Sequence, residues 1–116
     1  MADFFTDRLK KSASFPVDIY CEGYPDVVFE IILDAVPTQA QATIAVEALT
    51  AFANRYNTWH FVPIHYVSNL DCAFHGDHPR GIYVHIDFGS ACPLALLKAM
   101  KVVAKLPLPI FRVALI

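Results

Sequence analysis

The sequence predicts an α+β domain: a mostly antiparallel sheet with two helices on one of its faces. Three observations support this. Segments of period-2 alternation, bounded by Gly, Pro, Asn and Asp, recur along the chain, and two segments with helical spacing separate them. No apolar run approaches the ~20 residues a spanning helix needs. At 116 residues, 56% hydrophobic and 17% charged, the chain can fill one dense core and falls outside the disordered class. We therefore expect one domain over residues 1–116, with 1–15 as an N-terminal extension and 16–116 as the α+β core.

The extension carries a short amphipathic piece over Asp3 to Lys10, and Pro16 ends any helix there. Residues 17–23 and 27–35 read as strands. The intervening Gly23, Tyr24, Pro25 and Asp26 have turn chemistry, which predicts a hairpin or one long bulged strand. Thr38 and Gln41 have capping-box spacing, and Ile44, Ala48, Leu49, Phe52 and Tyr56 follow at helical intervals to an end near Asn57. Residues 59–67 alternate as a third strand, and Pro63 argues that it lies at an edge or begins after that proline. Ser68 to Arg80 is a long polar loop, and such loops in small domains are often functional.

Gly81 to Phe88 is a strand with Ile82, Val84, Ile86 and Phe88 on its core side. Pro93 suits the first turn of a second helix, which sets Lys98, Lys101 and Lys105 opposite Leu96, Leu97, Met100 and Val103. Phe111 to Ile116 closes the series as a strand. Helical crossovers within one sheet are right-handed, so both helices fall on the same face. The plan is a ferredoxin-like βαββαβ unit with an additional N-terminal strand.

That plan leaves one sheet face uncovered, and parity assigns its residues. Tyr20, Glu22, Glu30, Asp34, Tyr83, His85 and Asp87 fall there with Asp18, Val28, Ile32 and His65, and Arg112 is the lone arginine. An apolar and aromatic centre ringed by acids has the composition of an interface for a basic partner. Asp71, His75 and Asp77 of the polar loop extend the candidate surface. The same acids repel phosphate, so direct nucleic-acid binding is not expected there.

Chemistry-bearing motifs are sparse. His75, Asp77 and His78 include zinc-ligand types, but their spacing matches no established site, and we expect neither metal nor cofactor. Cys21, Cys72 and Cys92 are odd in number and irregularly spaced, as reduced cysteines are, not a disulfide framework. The segment Phe88, Gly89, Ser90, Ala91 lacks the second glycine of a nucleophile elbow, and no phosphate-binding loop is present. The chain is expected not to be an enzyme. Met1 to Lys11 lacks the pattern of a signal peptide, so the cytoplasm is the default expectation and no membrane partner is expected.

In size, strand order and the acidic set Glu22, Glu30, Asp34 and Asp87 beside Tyr20 and Tyr83, the chain resembles bacterial immunity proteins of contact-dependent inhibition and other polymorphic toxin systems. The resemblance implies a protein that is monomeric when free and neutralises a cognate toxin domain, often a basic nuclease. The alternative is a ferredoxin-like domain that pairs sheet to sheet as a homodimer and encloses a small molecule or substrate near His65, Tyr83 and His85.

Overall fold

Two reciprocal bonds start the longest helix. The Gln41 N–H donates to Thr38 Oγ1 (3.2 Å) and the Thr38 N–H donates to Gln41 Oε1 (2.9 Å), which is the capping box expected from the spacing. The computed structural model that contains it describes residues 3–20, 26–59, 64, 66–70, 78–89 and 94–116. Its elements are α1 (Asp3–Lys11), β1 (Val17–Ile19), β2 (Asp26–Leu33), α2 (Gln39–Trp59), β3 (Tyr66–Leu70), β4 (Gly81–Asp87), α3 (Leu94–Ala104) and β5 (Ile110–Leu115).

The strands form one mixed sheet in the order β1-β5-β2-β4-β3. β2 is antiparallel to both neighbours: Glu30 lies opposite Tyr83 of β4 and opposite Ala114 of β5. β4 pairs antiparallel with β3, and β1 runs parallel to β5 with Asp18 beside Ala114. The hairpin expected between the first two strands is therefore corrected. Both edges of β2 are occupied, so β1 bonds the outer edge of β5. The turn residues 21–25 lie outside the described residues.

Alternation assigns the faces. Val27, Phe29, Ile31 and Leu33 of β2 and Ile82, Val84 and Ile86 of β4 are all buried in one cluster with helical residues. α2 contributes Ala45, Leu49, Phe52, Ala53 and Tyr56, and α3 contributes Leu96, Met100 and Val103. Leu49, Phe52 and Tyr56 are buried as expected, and the stripe departs from expectation in its first turns, where Ala45 takes the place of Ile44. Burying Ala45 and Leu49 swings Ile44 some 100° aside, and it is 38% exposed. Lys98, Lys101 and Lys105 are exposed as expected.

Several boundaries also moved. α2 continues two residues past Asn57, whose side chain clamps the backbone of Ile64: Nδ2 donates to its carbonyl (2.9 Å) and Oδ1 accepts its N–H (2.7 Å). That clamp satisfies both polar groups of the chain entering β3. Ser68 to Leu70, assigned to the polar loop by their composition, are the second half of β3, because Ser68 and Leu70 pair with His85 and Tyr83. Composition alone cannot show a cross-strand partner.

α1 belongs to the core. Its Leu9 is fully buried in the common cluster, and the Ser12 N–H closes the helix on the Leu9 carbonyl (3.2 Å). Replacing Leu9 by Ala should therefore lower the unfolding free energy by about 2–5 kcal/mol, as for other buried leucines. A urea midpoint equal to that of the unmodified protein would show that α1 packs without contributing to stability.

Candidate functional site

On the sheet face away from the helices, the described strands place side chains in rows. Asp18, Ala114, Glu30 and Tyr83 form one row across β1, β5, β2 and β4. Toward one end lie Val28 and His85, then Asp26 opposite Asp87. Toward the other lie Arg112, Ile32 and Gly81, and here the expected open apolar centre is corrected: Ile32 is 0% exposed and its neighbour Ala114 4%. The face thus carries Asp18, Asp26, Glu30 and Asp87 against one guanidinium, Arg112.

Each of these carboxylates has a local partner. Asp26 Oδ1 lies 2.9 Å from His85 Nε2, Asp18 Oδ2 lies 3.9 Å from Arg112 Nη1, and Asp87 Oδ1 accepts the Gly89 N–H at 3.0 Å. Gly89 has φ of 54°, a conformation that glycine adopts without a Cβ clash, and this lets the chain turn back to its own strand's last carboxylate. Glu30 Oε2 accepts the Tyr83 hydroxyl at 2.7 Å. Facing like charges, as at Asp26 and Asp87, destabilise a sheet unless neighbours offset them, and His85 lies beside that pair.

Tyr83 lies lower on the face than an exposed aromatic would. It is only 5% exposed, and its ring lies over Gly81, where an added Cβ would sit 2.8 Å from Tyr83 Cε2. The hydroxyl donates to Glu30 and accepts the His78 N–H at 2.9 Å. His78 is fixed further: its Nδ1 accepts the Arg80 N–H (3.1 Å) and its carbonyl accepts the Gly81 N–H (2.9 Å). Tyr83 therefore holds the start of β4 in place. A glycine two residues before an aromatic in a strand is the sequence signal for this arrangement, since both lie on one face.

The remaining expected site residues divide into two groups. Tyr20 is 70% exposed and joins the sheet through its N–H to the Leu115 carbonyl (2.8 Å). Asp34 is exposed just beyond β2, and its N–H donates to the Pro109 carbonyl (3.1 Å). Glu22, Asp71, His75 and Asp77, together with His65 and the three cysteines, lie outside the described residues. Asp26 was assigned to a turn because it follows Pro25. Extending the β2 alternation by one step would have placed it on the face.

Among the described residues, no group of three or more His, Cys, Asp and Glu could hold a metal ion. No described helix is long and apolar enough to cross a membrane.

A thermodynamic cycle tests the position of Tyr83. Tyr83→Phe should cost about 1–2 kcal/mol of stability through the loss of two hydrogen bonds. Gly81→Ala should destabilise the protein by displacing the ring, yet be nearly neutral once Tyr83 is Ala, so the two changes couple. Additive effects in urea unfolding would mean that the ring does not occupy the space above Gly81.

No protein-family model matches the chain, no curated protein matches it in sequence, and no solved structure matches it in fold.

Proposed function

We propose that the chain is a non-catalytic immunity protein whose acidic sheet face binds and neutralises a toxin domain of basic character. The observation that carries this reading is the row structure of that face: four carboxylates, each oriented by a neighbour, flank the half-buried Val28 and His85. Oriented carboxylates lose little freedom when a cationic surface arrives. The core's order β5-β2-β4-β3, with α2 and α3 as crossovers, supports reading it as a ferredoxin-like unit, to which β1 adds on the β5 edge.

Charge partition supports the same reading. Seven of the nine lysines and arginines lie on or beside the helices: Arg8, Lys10, Lys11, Arg55, Lys98, Lys101 and Lys105. The helical layer is thus basic where the sheet face is acidic, and a basic partner is steered toward the sheet. Two copies stacked sheet to sheet would set carboxylates against carboxylates, which favours a monomer when free over the homodimeric alternative. Phosphate is disfavoured at this face for the same reason.

The test is to purify the protein captured from the native cell, express its toxic domain, and ask whether co-expression of this chain restores growth. Asp18→Lys and Asp26→Lys should slow association with that domain, and the loss should shrink as salt is raised, because exposed charges act mainly on encounter. A captured domain that arrests growth equally with or without this chain defeats the proposal. So does unchanged association by both variants.

A further inference from the structure

Phe111 breaks the alternation of its own strand. It shares parity with Val113 and Leu115, both buried in the core, yet it is 51% exposed. The cause is a register shift: Ile32 lies opposite Arg112 but Leu33 lies opposite Ile110, which leaves Phe111 without a ladder partner. Ile110 packs against the core instead, and the bulge turns the aromatic side chain toward solvent.

A cation holds that ring in place. The Arg80 guanidinium carbon lies 5.6 Å from the Phe111 ring centroid, and Nη1 donates to the Asp34 carbonyl at 3.3 Å. The backbone around it is tied on both sides: the Leu33 N–H donates to the Arg80 carbonyl (2.9 Å) and the Asp34 N–H to that of Pro109 (3.1 Å). Among the described residues no carboxylate comes within ion-pairing distance of Arg80. Its remaining donors form a planar fork suited to a carboxylate.

We propose that Phe111 and Arg80 form a preordered anchor for a protein segment that presents an apolar side chain next to an aspartate or glutamate. The ring supplies apolar area, the guanidinium supplies the complementary charge, and both are held before binding, so little side-chain entropy is lost on contact. Aromatic residues and arginine dominate the energetics of most interfaces. The anchor deepens the proposed function and rests on it for one point, that the occupant is a protein. It lies beyond the acidic rows, about 20 Å along the strands from Asp26. The anchor and Asp26 thus lie toward opposite ends of the strands.

Short random peptides displayed on phage and selected on the purified full chain test this without the cognate partner. Selected sequences should pair a large apolar residue with Asp or Glu. As free peptides they should bind Phe111→Ala and Arg80→Lys at least about tenfold more weakly than the unmodified chain, the equivalent of about 1.4 kcal/mol. Trp59→Ala, an exposed aromatic on a helix, should change nothing. Melting curves show whether each variant is folded, and Arg80→Lys keeps the charge while removing the fork. Peptides that bind all variants equally, or selection that enriches no acidic and apolar pair, would overturn the anchor. A short single-stranded oligonucleotide that outcompetes the peptides in a Phe111-dependent way would overturn it in favour of base stacking. None of these outcomes depends on whether a toxin is ever neutralised.

Discussion

The saturation of β2 is the constraint on which the rest of this structure depends. Its backbone is bonded to β4 on one side and β5 on the other, so neither edge is available to another strand. β1 consequently closes the sheet at β5, in parallel, although it precedes β2 by only a few residues. A central strand also fixes the parity of its neighbours. Once Phe29 and Ile31 face the helices, Val28 and Glu30 must face away, and His85, Tyr83 and Ala114 follow through direct pairing. A one-residue slip would exchange the core and the acidic face, and burying those carboxylates makes that slip prohibitive.

Features set within a few residues were legible in the sequence. The start of α2 depends on Thr38 and Gln41 alone, and the two faces of β4 follow from alternation in a segment with no bulge. Features that depend on a distant partner were not legible. Pro25 and Asp26 read as a turn, but Asp87, far along the chain, draws Asp26 into the ladder. Tyr83 was placed on the correct face while its depth was missed, because the ring is held down by Glu30 and by the backbone of His78. Phe111 was hidden for a similar reason. A bulge cancels parity at the one position where parity would have put the ring in the core.

The two layers of the molecule divide its charge, and the division follows from the fold. α2 and α3 bury one stripe each, which leaves Arg55, Lys98, Lys101 and Lys105 to solvent with Glu47 as the lone acid of these two helices. Lys98 also lies 5.6 Å from the Tyr56 ring centroid, so its stem covers part of the seam between the helices. On the opposite sheet face Ile32, Tyr83 and Ala114 are buried, and the half-buried and exposed positions around them can differ at less cost to packing. Recognition chemistry can change there most freely.

That face is not uniform along the strands, and the gradient has a consequence for how a partner would be held. Its acids are bonded to neighbours, so their field extends outward while their geometry is fixed, which suits steering more than tight contact. Exposed charge pairs of this kind contribute at most about 1 kcal/mol each. Persistence of a complex needs apolar area and desolvated donors, and the exposed Phe111 ring beside Arg80 offers both. The acidic rows and the Phe111–Arg80 pair lie toward opposite ends of the strands. The bulge in β5 is the backbone feature that frees Phe111 from the core parity of its own strand and so makes the second of these possible.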